Sequence, residues 1–162
     1  MRLTPLLVLL LAACDTSSAP PPAQQESPAR VQPASPSPEV AERDARAVAE
    51  DFHRALVEGD SLRVLGHLHP DAAIYEAGHA ETTEQYRSGH LRSDIEFSQA
   101  VPSETLREDQ VVTPDLVLLL RESRSRGRFR EREIDTGGVE TLVLVPTPEG
   151  WKIRHIHWSS GR

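Results

Sequence analysis

Apolar residues recur at helical spacing directly after the segment Ser37-Pro38-Glu39. Ser37 is a favourable N-cap, Pro38 suits the first helical position, and Gly59 is typical of a helix end. The pattern therefore predicts a helix over residues 38–58. Its apolar positions are Val40, Ala41, Ala45, Val48, Phe52, Ala55 and Leu56.

Two further helices are predicted on the same grounds. Asp60 can cap a short second helix that ends at Pro70, and a short strand follows over residues 72–77. Thr82 or Thr83 can then cap a third helix. The side chains near one side of this third helix are Tyr86, His90, Leu91, Asp94 and Phe97.

The second half of the folded chain has the pattern of β-structure. Runs rich in β-branched residues and leucine alternate with Pro, Gly and Asp. The candidate strands cover residues 97–108, 115–125, 127–134, 139–145 and 151–159. Helices followed by consecutive strands are typical of an α+β fold with a mostly antiparallel sheet.

The last predicted strand, residues 150–160, carries large apolar groups and polar groups on both faces. Period two places Trp151, Ile153, His155, His157 and Ser159 on one face. The other face carries Lys152, Arg154, Ile156, Trp158 and Ser160. Such a strand favours a central position beside a cavity, and a β-bulge could switch its faces partway.

The first residues have the pattern of a secretory leader. Residues 1–13 contain a basic start and an apolar run that is shorter than the ~20 residues needed to span a bilayer. The sequence Leu11-Ala12-Ala13-Cys14 resembles a bacterial lipobox. This resemblance implies lipidation of Cys14 and a protein anchored to a membrane of the bacterial cell envelope.

Residues 14–37 begin with Cys14 and are rich in Pro, Ser and Gln, with almost no bulky apolar residue. Burial cannot offset the entropy of ordering such a segment. We therefore expect a disordered tether, followed by one folded domain over residues 38–162.

Composition excludes several classes of function. The net charge of −7 argues against a nucleic-acid partner. The single cysteine excludes an intrachain disulfide and a thiolate metal cluster. No nucleophile elbow or Walker loop is found in the sequence, which leaves acid–base chemistry open.

The order of elements resembles the nuclear-transport-factor-like superfamily, which includes ketosteroid isomerase and SnoaL-like proteins. The segments Glu140-Thr141-Leu142-Val143 and Gly150-Trp151-Lys152-Ile153-Arg154-His155-Ile156-His157 are similar to strands of the association domain of calcium/calmodulin-dependent kinases. The resemblance implies a cone: a curved sheet whose concave face is covered by three helices around a pocket. It also implies a homodimer through the other face, and a pocket arginine at Arg121.

The candidate ligand-binding residues of this pocket are Tyr86, His90, Asp94, Arg121, Glu140, His155, His157 and Trp158. His90 and Asp94 are spaced as a helical i, i+4 pair, which suits a general base or a plain surface ion pair. Glu140 lies among Val, Thr and Leu, so it needs Arg121 or a histidine as partner unless it faces solvent.

Two other patterns leave alternatives open. His155 and His157 could ligate zinc together with His90 or Asp94, or could form a hydrogen-bonded pair without metal. We expect no metal and no cofactor. The arginines alternating around Gly127 could form a basic stripe or a solvated hairpin with ion pairs to interleaved glutamates.

The sequence therefore predicts a membrane-anchored envelope lipoprotein whose domain binds an unknown small molecule without catalysis. One alternative is an acid–base enzyme of the isomerase, cyclase or dehydratase type, with His90 or His157 as the base. A second alternative is an oligomerisation module with an incidental pocket.

Overall fold

A computed structural model of the protein describes residues 37–161. The predicted signal peptide, the predicted lipidation site at Cys14 and the predicted tether up to residue 36 lie outside the described residues. No helix within residues 37–161 combines the length and the apolar character needed to cross a bilayer.

The first two helices begin where their capping residues predict. Helix α1 spans Pro38–Glu58, is capped by the Ser37 side chain, and ends at Gly59, whose φ of 80° is left-handed. Helix α2 spans Ser61–His67 and is capped by Asp60. The prediction that Pro70 ends α2 is wrong, because the chain becomes extended at Leu68 and Pro70 already lies in a strand.

The predicted third helix is two helices, so four helices are present among residues 37–161. Helix α3 spans Thr83–Ser88 and begins with a capping box formed by Thr82 and Gln85. Helix α4 spans Leu91–Ala100. Gly89 breaks the helix at φ −115° and ψ −96°, and a Cβ there would lie 2.9 Å from the Gln85 carbonyl oxygen.

Six strands form one mixed, curved and unclosed sheet within the described residues. The strands are β1 (Leu68–Glu76), β2 (His79–Thr82), β3 (Ser103–Thr113), β4 (Leu116–Phe129), β5 (Arg132–Thr147) and β6 (Gly150–Ser160). Their order is β2-β1-β6-β5-β4-β3. Only β1 and β6 run parallel, so the sheet is mostly antiparallel. The predicted α+β fold is confirmed.

The predicted strand break at Gly127 is wrong, because β4 runs straight through this residue. The end of α4 crosses β4 here, and a Cβ on Gly127 would lie 3.0 Å from the Ala100 carbonyl oxygen. Glycine at this position therefore allows the end of α4 to pack closely against β4. The hairpin turns instead at Arg130 and Glu131, which both have positive φ, as a type I′ turn requires.

Strand β6 contains a β-bulge, which the sequence pattern allowed because both faces of the strand mix apolar and polar residues. Val143 pairs with His155 and Leu144 pairs with Ile153, so Arg154 is an extra residue. Strict alternation along β6 is therefore wrong. The residues directed at the helices are Trp151, Ile153, Ile156 and Trp158.

Apolar side chains fill the space between the helices and one face of the sheet, which we call the inner face. Helix α1 lies across this face and contacts β3, β4, β5 and β6. Two cross-strand rows of the sheet are fully apolar at their centre. They contain Ile74, Ile156, Leu142 and Leu119 in one row, and Leu68, Ile153, Leu144 and Val117 in the next.

Candidate functional site

A row of polar and aromatic side chains crosses the inner face beside these apolar rows. Each member lies directly opposite the next on the neighbouring strand, and cross-strand partners share a face. We call this set the polar row. From β1 to β3 its members are Glu76, Trp158, Glu140, Arg121 and Glu108.

Two basic side chains of helix α1 contact the polar row. His53 Nε2 lies 2.8 Å from Glu140 Oε1. Arg46 forms an ion pair with Glu108 and also donates to Gln110 Oε1 at 2.6 Å. Arg46 and His53 are seven residues apart, so both project from the same side of α1. The helix therefore positions one partner above each of two carboxylates.

Glu140 is the most connected carboxylate of the polar row and is 9% exposed. Besides His53, the Trp158 indole Nε1–H donates to Glu140 Oε1 at 2.7 Å. Arg121 Nη1 lies 3.6 Å from Glu140 Oε2. Burial raises the pKa of Glu140, but His53, the Trp158 hydrogen bond and Arg121 outweigh burial and leave the pKa below its ordinary value. Glu140 is thus a carboxylate at neutral pH.

The other ring nitrogen of His53 lies between a donor and an acceptor. Nδ1 is 2.7 Å from the Ala49 carbonyl oxygen and 3.1 Å from Arg121 Nη1. A neutral ring can accept from Arg121 at Nδ1, whereas a protonated ring donates from Nδ1 to Ala49. In both states Nε2–H can donate to Glu140. The ring is thus held through both nitrogens, between α1 and the polar row.

The β1 end of the polar row adjoins aromatic rings and a buried acid. Trp158 stacks on Phe52 with ring centroids 6.3 Å apart, and Tyr86 of α3 lies 6.4 Å from it on another side. Tyr86 is fully buried, yet its hydroxyl has no hydrogen-bond partner among the described residues. The same holds for the buried Oδ2 of Asp94 on α4.

Tyr86 and Asp94 lie close enough for a weak hydrogen bond between them to affect the ionisation of both groups. Neither Tyr86 Oη nor Asp94 Oδ2, however, has a partner with good hydrogen-bond geometry among the described residues. Burial, together with the negative charge of Glu76, raises the pKa of Asp94 to about 6. Burial and the charge of Asp94 raise the pKa of the Tyr86 hydroxyl well above its ordinary value. The Tyr86 hydroxyl therefore stays protonated and can act as a hydrogen-bond donor beside an acid with a pKa of about 6.

Glu76 adds a third carboxylate at this end. Burial raises the pKa of Glu76, and Glu81 raises it further, whereas His90 opposes both. His90 lies at the margin of the site, is about half exposed, and hydrogen-bonds Glu81 at 2.7 Å through Nδ1. The Glu81 hydrogen bond and charge raise the pKa of His90.

The predicted pocket residues are thus divided between two faces. Arg121, Glu140 and Trp158 belong to the polar row, Tyr86 and Asp94 adjoin it, and His90 is the N-cap of α4 at its margin. The prediction that His90 and Asp94 form a helical i, i+4 pair is wrong, because the break at Gly89 places His90 before the first residue of α4.

His155 and His157 lie on the outer face of the sheet, since the bulge at Arg154 turns them away from the helices. Their inclusion in a shared pocket is wrong. Both rings contact Tyr75, and His155 Nδ1 donates to the Ala73 carbonyl oxygen at 2.8 Å. Within residues 37–161, no three His, Cys, Asp or Glu side chains are grouped to hold a metal ion. The zinc site considered with His90 or Asp94 is therefore not formed there.

Sequence reasoning missed four members of the site: Glu76, Glu108, Arg46 and His53. The two α1 residues carry a detectable signal, because their seven-residue spacing places both beside the apolar stripe of the helix. The two glutamates carry none, since their membership depends on strand register.

Most of the arginines that alternate around Gly127 are paired with acids. Arg124 and Arg126 both contact Asp135 Oδ1, at 2.5 and 3.2 Å. Arg130 reaches Glu96 of α4 at 3.2 Å. The structure therefore has the exposed hairpin with ion pairs and not the basic stripe. The paired arginines leave little unbalanced positive charge to bind an anionic surface.

No protein-family model matches the chain, and no curated protein sequence matches it. Solved structures do match. A predicted ketosteroid isomerase from Shewanella frigidimarina has 30% identity and a TM-score of 0.69, with 72% of this chain and 94% of that chain covered.

Two more distant structures share the fold. A predicted dehydratase of the NTF2-like family from Streptomyces avermitilis has 17% identity and a TM-score of 0.62, covering 77% of this chain and 99% of that one. The CaMKII hub from S. rosetta has 15% identity and a TM-score of 0.58, covering 74% and 95%. On the 30% identity to the Shewanella protein and the shared cone of helices on a curved sheet, the chain belongs to the NTF2-like superfamily.

Proposed function

We propose that this protein is a bacterial envelope lipoprotein whose domain binds a small organic molecule at the β1 end of the polar row. The observation that carries the proposal is the pair of buried, unpaired oxygens, Tyr86 Oη and Asp94 Oδ2. A buried polar atom without a partner is costly, by about 1–3 kcal/mol each. A ligand that hydrogen-bonds both oxygens would remove this cost, and the Trp158 and Phe52 rings offer apolar contact beside them.

Native mass spectrometry of the full chain, extracted gently from its own membrane, tests this proposal. We expect a retained small molecule that is lost from a Tyr86→Phe variant, which lacks the hydroxyl but keeps the ring. Ser88→Ala, at an exposed position of the same helix, is the matched control and should retain the molecule. An empty parent protein from several growth conditions would contradict the proposal.

We further propose that Cys14 carries the lipid anchor. The lipobox ending and the polar tether after it support this assignment. Cys14→Ser should abolish metabolic labelling with a palmitate analogue and move the protein from the membrane fraction to the soluble fraction. Labelling that persists in this variant would show that acylation does not need Cys14.

A homodimer through the outer face of the sheet is the assembly we propose. This face exposes an apolar set that includes Tyr75, Leu106, Val111, Leu120 and Val139. Exposed apolar patches of this kind mark interaction surfaces. The likeness to hub and association domains supports contact between copies of the chain.

The dimer proposal predicts that Val139→Asp raises the dimer dissociation constant at least tenfold in sedimentation experiments. The control is Val57→Asp on α1, since Val57 is 56% exposed and Val139 is 53% exposed. Equal effects of the two substitutions, or a monomeric parent at micromolar concentration, would contradict the proposed interface.

An acid–base enzyme is the second candidate, and the Tyr86–Asp94 pair favours it. Asp94 has a pKa of about 6 and can exchange a proton, while Tyr86 can donate to a developing oxyanion. The likeness to a predicted isomerase points the same way. The test is solvent deuterium incorporation next to the carbonyl of a panel of ketones. Incorporation should be lost in Asp94→Asn, and its absence from the parent would contradict this candidate.

A further inference from the structure

Charge is balanced at one end of the polar row and unbalanced at the other. Glu108 is paired with Arg46 and Arg121, and Glu140 is paired with His53 and Arg121. Glu76 and Asp94, in contrast, form no ion pair with any side chain in residues 37–161. The nearest cationic group to act on them is His90, which is already bonded to Glu81. The β1 end thus has an excess of negative charge.

Three aromatic rings lie at the same end of the polar row. Trp158 stacks on Phe52, its ring centroid lies 6.4 Å from that of Tyr86, and it stands directly opposite Glu76 on the parallel strand β1. The Trp158 Nε1–H is committed to Glu140, which fixes the ring plane. Faces of aromatic rings attract cations, and tryptophan does so best.

The buried Tyr86 hydroxyl is an observation independent of these acids. It has no partner among the described residues, although the side chain is fully buried. Asp94 lies close enough to Tyr86 for the two groups to affect each other's ionisation, so two buried oxygens without a partner of good hydrogen-bond geometry belong to neighbouring side chains. A bound group can explain such a site, because it supplies the missing hydrogen bonds and offsets the repulsion between like charges.

We propose that the molecule bound at this end is an organic cation, such as a primary or quaternary ammonium compound. This inference rests on the proposed ligand-binding function of the same site and names the chemical class of its ligand. The positive group lies near Glu76 and Asp94, beside the Trp158 ring. An anionic ligand is disfavoured, because it would add charge of the same sign to two carboxylates.

A cation accounts for the site better than a neutral molecule does. The negative charge of Glu76 raises the pKa of Asp94 by repulsion, and a positive charge between the two carboxylates would remove that repulsion. A neutral ligand would satisfy Tyr86 and leave the two carboxylates uncompensated. Ion pairing out of water also gains strength from the low local dielectric.

The experiment compares matched probes that differ only in charge. Choline is compared with 3,3-dimethylbutan-1-ol, and benzylammonium with benzyl alcohol, by calorimetry on the full chain in nonionic detergent at pH 8. Each cation is expected to bind at least ten times more tightly than its neutral counterpart. Glu76→Gln and Asp94→Asn should each weaken cation binding at least fivefold, whereas Glu104→Gln, at an exposed position of β3, should leave it unchanged.

Two outcomes separate the ligand class from the function itself. Equal binding of charged and neutral probes, or no effect of either carboxylate substitution, would overturn the cation inference and leave ligand binding intact. Failure of all four probes would overturn the inference as well. Native mass spectrometry then decides the function: a retained uncharged molecule supports it, and an empty protein removes both proposals.

Discussion

Glu140→Ala is expected to lower the free energy of unfolding by about 3–5 kcal/mol, the cost typical of removing one partner from a buried charged network. The substitution leaves the Trp158 indole N–H, the His53 Nε2–H and part of the Arg121 guanidinium without their acceptor. Arg121 is only about one-tenth exposed, so water replaces the lost acceptor poorly. Denaturation in urea, followed by tryptophan fluorescence, measures the loss.

Two substitutions serve as controls for Glu140. Glu140→Gln keeps an acceptor for Trp158 and His53 and should be less damaging than the alanine substitution. Glu104→Ala changes an exposed glutamate of β3 and should alter stability by no more than about 0.5 kcal/mol. A loss below about 1 kcal/mol for Glu140→Ala would mean that the network contributes little to stability.

Asp94→Asn is expected to act in the opposite direction and to stabilise the protein at neutral pH. The pKa of Asp94 is raised to about 6 in the folded protein, whereas an ordinary aspartate has a value near 4. Folding therefore favours the protonated acid. Asp94 carries no penalty below about pH 4, a growing penalty between about pH 4 and 6, and a full penalty above that range.

The expected gain for Asp94→Asn is about 1–3 kcal/mol at pH 7.5, because one pKa unit corresponds to about 1.4 kcal/mol. At pH 4 the gain should be close to zero, since both side chains are then uncharged. Urea denaturation of both proteins at the two pH values measures the difference. Equal gains at both pH values would mean that packing, rather than ionisation, causes the effect.

The helices were predictable because their ends are local. Ser37, Asp60 and Thr82 cap helices with their own side chains, and Gly59 ends α1 by its left-handed backbone. The break at Gly89 was not predictable in the same way, because apolar spacing continues across it. The backbone at Gly89 packs so close to the Gln85 carbonyl oxygen that a side chain would not fit, and this contact is not visible in the sequence.

The site depended on long-range geometry, so only part of it could be predicted. Glu140 stood out as an acid in an apolar run, and its partner Arg121 followed from the resemblance to a known family. Glu76 and Glu108 join the row only through the register of three other strands. Likewise, Gly127 was interpreted as a turn because the sequence does not show α4 crossing β4.

The polar row has a consequence for how this sequence can change over evolutionary time. Its members come from five strands and are far apart in the chain, yet Trp158, Glu140, Arg121 and Glu108 share hydrogen bonds or ion pairs in succession. A substitution at one of these positions would leave the adjacent members of the row without a hydrogen-bond or ion-pair partner. Related sequences should therefore exchange these positions together, as coordinated sets, while the exposed acids of β3 vary independently.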